Sequence, residues 1–160
     1  MKRIGLALMM FALAACGAET KPEPGPPPLY KYQSMKTAVE EARQTLPVFW
    51  DAYRSGDGAY SNFALNVVTQ SKRYDAEYVW LVDIKEREGR LEGTVPEDHE
   101  IDDGLKSGTV IAFLPGQIAD WRYREDGRTR GAYTTRAMLD LAPNADTSNI
   151  RALFHDSPVP

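Results

Sequence analysis

The sequence predicts an α+β domain: an N-terminal kinked helix packed on a curved antiparallel sheet of about five strands, followed by a short C-terminal helix. Three observations predict it. Apolar residues recur at helical spacing from Met35 to Tyr53, then alternate at strand spacing from Phe63 onward. Two strand pairs are separated by tight-turn residues, Glu88-Gly89 and Asp126-Gly127, which demand antiparallel neighbours. After the last strand, Thr134 to Leu141 holds two helical turns at most before Pro143 stops it.

The chain begins with a segment that does not belong to this fold. Lys2 and Arg3 precede an uncharged apolar run from Ile4 to Ala15. As a helix that run spans about 18 Å, short of the roughly 30 Å hydrocarbon core of a bilayer. Residues 1–15 therefore read as a signal peptide. The run ends Leu13-Ala14-Ala15-Cys16-Gly17, which resembles a bacterial lipobox. That resemblance implies cleavage before Cys16 and acylation of its thiol and amine. Gly17 is not the Asp that would resemble the inner-membrane retention signal, so the implied destination is the outer membrane, facing the periplasm. Cys16 is the single cysteine, and no disulfide within the chain is possible.

Residues 16–29 carry the lipidated Cys and a tether with five prolines, Pro22, Pro24, Pro26, Pro27 and Pro28. Polyproline II geometry extends such a spacer to about 40 Å. Residues 30–143 form the domain, and 144–160 a polar tail expected to fray. Without Lys2 and Arg3 the chain holds 17 basic and 23 acidic side chains, a net charge of −6. An acidic envelope domain is unsuited to nucleic acid.

Ser34 is a candidate N-cap, and Met35, Ala38, Val39, Ala42 and Leu46 follow one helical face. Pro47 interrupts the pattern while Phe49, Trp50 and Tyr53 keep its phase. This reads as one kinked helix over 34–54, or as a helix followed by a turn that starts at Pro47. Ser55-Gly56-Asp57-Gly58 ends it. Strands follow at Phe63 to Val67, Tyr78 to Ile84, Leu91 to Val95 and Val110 to Leu114, the last as a buried strand. The expected core is Trp50, Phe63, Leu65, Trp80, Val82, Val110, Ala112 and Trp121.

Asp126-Gly127 suits a two-residue type I′ turn, and that fixes a register. Glu125 falls opposite Arg128, Arg124 opposite Thr129, Tyr123 opposite Arg130 and Arg122 opposite Gly131, continuing to Trp121/Ala132 and Asp120/Tyr133. Opposed residues share a face, so Trp121 points to the core while Arg122 and Arg124 point to water. Asp120 beside Tyr133, with Trp121, Thr134 and Arg136 close by, is the candidate site. A phenol–carboxylate hydrogen bond and an Asp120–Arg136 pair would lock the sheet corner, which is the favoured reading, with a ligand site as the alternative.

Gly108-Thr109-Val110, Ile118-Ala119-Asp120-Trp121, Asp126-Gly127 and Gly131-Ala132-Tyr133-Thr134-Thr135-Arg136 together resemble the YegJ-like family, domain of unknown function 2314. Phe63 to Val67, Trp80 and Gly93 fit the same pattern, so the likeness runs from about Ala38 to Leu141. Asn66 stands where Lys is common in that pattern. The resemblance implies the fold and no activity.

The two histidines, His99 and His155, stand apart in a loop and in the tail. No cofactor motif, phosphate cradle or nucleophile signature occurs. Acidic residues 97–103 offer oxygen ligands for calcium without EF-hand spacing, and a solvated loop accounts for them. Whether the chain catalyses anything stays open, and a non-catalytic module is favoured. The expected function is a lipid-anchored envelope lipoprotein that binds an envelope protein or a small ligand. The alternatives are a small periplasmic hydrolase using carboxylates and an acidic inhibitor or immunity-type protein.

Overall fold

A computed structural model describes residues 32–69, 77–88, 90–98, 105–142 and 146–160. The signal peptide, Cys16 and the tether lie outside the described residues, as do His99 to Gly104 of the acidic loop.

The first apolar face folds as two helices, α1 (Gln33–Gln44) and α2 (Leu46–Ser55), meeting at Thr45. Pro47 sits in the first turn of α2, where its missing N–H costs nothing. Gly56 closes α2 at φ +65°, a left-handed cap that glycine adopts without strain. The N-cap position belongs to Tyr32, and Ser34 lies inside the first turn instead of preceding it. On α1 the buried stripe is Met35, Ala38 and Ala42, and the two alanines let the helix lie close to the sheet.

Six strands form one antiparallel sheet in the order β4-β3-β2-β1-β5-β6. They are β1 (Tyr60–Thr69), β2 (Glu77–Arg87), β3 (Arg90–Thr94), β4 (Val110–Phe113), β5 (Ile118–Glu125) and β6 (Arg128–Gly131). α3 (Tyr133–Asp140) and a single turn, α4 (Ser148–Arg151), follow. The sheet must be strongly bent. β4 and β5 are four strand spacings apart, about 19 Å in a flat sheet, yet Leu114 to Gln117 alone join them. Bulges supply the bend: the β1–β5 register shifts between Ser61 and Ala64, and the β2–β3 register between Val82 and Lys85.

The core row runs across the sheet as Leu81, Leu65 and Trp121, opposed in register and all fully buried. Phe49 and Ala42 meet it from the helices. Trp121 satisfies its indole N–H by donating to the Ala42 carbonyl at 2.9 Å, which makes its complete burial affordable. Two of the eight expected core positions are exposed instead, and four more are only partly buried. Val110 is 59% exposed and Ala112 is exposed, because β4 is an edge strand that buries Phe113 and turns its other side outward. Trp80 and Val82 are half-buried on the sheet face opposite the helices, since Val79 and Leu81 take the inward positions of β2. Trp50 and Phe63 are half-buried at the margin of the core.

The tail does not fray. Thr129 N–H donates to the Leu153 carbonyl at 2.8 Å, His155 N–H to Thr129 at 3.1 Å, and Gly131 N–H to Pro158 at 2.8 Å. Arginine side chains from β6 and α3 add to this: Arg130 reaches the Ser157 and Val159 carbonyls, and Arg136 that of His155. The tail thus covers the β6 edge, which would otherwise present unpaired backbone groups.

Candidate functional site

The corner at Asp120 is built from β5, the β6–α3 junction and the end of α1. Residues Glu125/Arg128 to Arg122/Gly131 pair as the Asp-Gly turn requires, with Asp126 at φ +49° and Gly127 at φ +74°. The ladder stops there. Gly131 sits at φ +70°, and a Cβ on it would lie 2.2 Å from the Trp121 carbonyl oxygen. Ala132 follows in the left-handed region and turns the chain into α3. The pairs expected beyond Gly131 are therefore replaced by a turn, although Ala132 N–H still donates to Trp121 at 2.8 Å.

Asp120 acts across this turn as a remote N-cap for α3. One carboxylate oxygen accepts from Trp121 N–H at 2.7 Å and Tyr133 N–H at 3.2 Å. The other accepts from Thr134 N–H at 2.8 Å and from the Thr134 hydroxyl at 2.6 Å. The first N–H groups of a helix lack internal partners, and a negative charge there is also favoured by the positive end of the helix dipole. Burial nonetheless pushes the Asp120 pKa up to about 6 against these four bonds. Asn66, its neighbour across β1, is 95% buried, and its Oδ1 has no hydrogen-bond partner among the described residues.

The corner thus unites Asp120, Trp121, Tyr133 and Thr134 but not Arg136. The Tyr133 hydroxyl turns to Thr45 Oγ1 at 2.9 Å instead of to Asp120. Arg136 donates to the Gly131 carbonyl at 2.9 Å and to the tail, with its guanidinium 4.9 Å from the Phe154 ring. The expected Asp120–Arg136 pair does not form, because the Arg136 side chain is drawn to the tail carbonyls. Asp120 and Trp121 are fully buried and Tyr133 and Thr134 nearly so.

A second place does face solvent. Beyond Leu65/Leu81 the two central strands part, β1 continuing with β5 and β2 with β3. A cleft of about 790 Å³ opens in this fork. Arg122 and Arg124 of β5, Asp83 of β2, Asp98, Asn62 and Tyr53 are among the residues that line it. Arg122 rests over the Trp80 ring at 4.7 Å, and burial pulls its pKa below the ordinary arginine range while Asp98 and Asp120 pull it back. Asn62 and Asp83 adopt φ of +51° and +50° at the two bulges.

A family model described as an uncharacterized protein conserved in bacteria, DUF2314, matches residues 32–152. The chain belongs to the DUF2314 family. No curated protein and no solved structure matches it.

The DUF2314 span holds the whole Asp120 corner and nearly all of the cleft, whereas the tail beyond Ala152 lies past it. Sequence reasoning found the corner through the Asp-Trp and Gly-x-Tyr-Thr spacing, and missed the cleft. One local signal was present: Asn62 and Asp83 are residue types that accept left-handed backbone, each inside an otherwise regular strand pattern. Among the described residues, no three His, Cys, Asp or Glu side chains group closely enough to hold a metal ion. The suggested calcium loop at 97–103 falls mostly outside the described residues.

Proposed function

We propose that this chain is a YegJ-like lipoprotein of the outer membrane, anchored through acylated Cys16 and facing the periplasm, whose domain binds a ligand in the forked cleft without catalysing a reaction. The observation that carries this reading is the division of labour between the two places. The carboxylate with the shifted pKa, Asp120, is sealed inside the fold and spends all its acceptor capacity on α3 and Trp121. It is out of reach of any substrate, which removes the strongest support for a hydrolase. The solvent-facing cleft instead is lined by charges of both signs and has a size within the usual range for ligand sites, about 300–1,000 Å³.

A photo-crosslinking residue in place of Val82, on the cleft wall, tests the reading in intact cells. Capture of an envelope component from position 82, absent from a control at exposed Glu40 and lost on Arg122→Glu, is the expected result. Equal capture at both positions, or none at 82, would overturn it.

A further inference from the structure

Inside the fork, two strand edges face each other without pairing. The β1–β2 ladder ends at Leu65/Leu81, while Ser61 still pairs with Arg124 and Lys85 with Glu92 on the outer sides. Residues 62–63 and 82–83, where the ladder would have continued, line the cleft instead. Open strand edges of this kind bind an extended chain by completing the missing ladder. Tyr53 donates its hydroxyl to the Ile84 carbonyl, which ties α2 to the β2 side of the fork.

Charge on the walls narrows the ligand further. Arg122 is held in place by the Trp80 ring, and Arg124 by a 2.7 Å bond to the Gly127 carbonyl, so both guanidinium groups have their stems fixed before a ligand arrives. Asp83 and Asp98 line the same cleft, Asp98 near enough to Arg122 to favour its charge. A lone anion gains from the arginines and is repelled by the aspartates, and a lone cation meets the reverse. A ligand that carries a charge of each sign satisfies both pairs.

From this we infer that the fork binds a short peptide with free ends, extended between β1 and β2, its carboxylate against Arg122 and Arg124 and its ammonium against Asp83 and Asp98. The inference rests on the cleft being the binding site. A peptide of two to four residues spans about 7–13 Å, at about 3.3 Å per residue. Its own backbone N–H and C=O groups occupy the unpaired edges.

The test uses the full chain, extracted in detergent with its N-terminus intact. Free-ended tripeptides Ala-X-Ala, with X apolar, aromatic, acidic or basic, are titrated by calorimetry beside their N-acetylated and C-amidated forms. The expected result is binding by at least one free-ended peptide, weakened about tenfold or more by capping either end. Arg122→Gln and Arg124→Gln should each mimic the C-amide, and Asp83→Asn, which keeps a residue tolerant of left-handed backbone, should mimic the N-acetyl form. The melting temperature of each variant shows whether it is folded. Equal binding of free and capped peptides, or no binding by any free-ended peptide, overturns the inference. Competition of these peptides against capture at position 82 separates the two failures. Capture that persists undiminished removes the peptide assignment and leaves the cleft in use, whereas no capture removes the cleft itself.

Discussion

At the scale of single residues, Asp120 determines more of this structure than any other side chain. Its four accepted bonds join β5 to α3, and each oxygen serves two donors. An amide in its place would turn an NH₂ toward N–H groups whichever way it was oriented. Asp120→Asn should therefore lower stability by about 1–3 kcal/mol under mildly acidic conditions. The pH dependence carries its own sign. With a folded pKa near 6 above a reference of 3.8, the group binds more protons folded than unfolded between those values. Its contribution is fully present below about pH 4 and is lost as pH rises through 6, by an amount on the order of 2–3 kcal/mol. The deficit of Asp120→Asn relative to the natural chain should accordingly shrink between pH 4.5 and pH 7.5. Denaturant midpoints of both proteins at the two pH values measure it; a deficit that grows with pH would show that Asp120 stays ionised inside the fold.

Among the elements, the tail is the one whose role differs most from its composition. Residues 153–160 contain two prolines and few large apolar groups, yet they close the β6 edge through three backbone hydrogen bonds and the Arg128, Arg130 and Arg136 side chains. Arg130 also pairs with Glu125 at 2.6 Å, with both side chains largely shielded from water, and so links the tail to the hairpin. Deleting residues 153–160 should cost about 3 kcal/mol, taking roughly 1 kcal/mol net for each backbone bond. It should also leave β6 open to pairing with other chains. A denaturant titration with light scattering checks both, and an unchanged midpoint would mean that the tail merely rests on the sheet. The edge at β4, with Val110 and Leu114 each more than half exposed, shows what an uncovered side of this sheet looks like.

For the molecule as a whole, the proposed arrangement places an acidic domain on an extended tether, so the anchor rather than the fold decides where it works. Among the described residues no helix is long and apolar enough to cross a membrane, and the proposed attachment rests on Cys16. Several acyl chains make such an anchor stable, since each buried CH₂ contributes about 0.8 kcal/mol. Intact-mass measurement of the membrane-extracted chain should show a mature protein beginning at residue 16 and carrying acyl chains. Cys16→Ser should release the domain from membranes; an unmodified mature chain would refute the anchor.

Local chemistry determined much of this protein in advance. The Asp-Gly turn set four cross-strand pairs from Glu125/Arg128 to Arg122/Gly131, because two positive-φ residues leave a hairpin a single register. Helical phase put Phe49 and Ala42 inward for the same local reason. The family, too, was legible, in the spacing around Asp120, Trp121 and Tyr133. Tertiary structure alone decided the rest. Alternation along β2 allows either face to be the inner one, and only packing against α1 and α2 turned Leu81 in and Trp80 out. Arg136 had an acidic neighbour within local reach, but the tail carbonyls, some twenty residues away, took its guanidinium. The cleft left only a faint local signal, Asn62 and Asp83 as residue types that accept left-handed backbone. It exists because β1 and β2 bulge at matching points and part, and the separation of two strands is a property of their pairing, which no residue carries by itself.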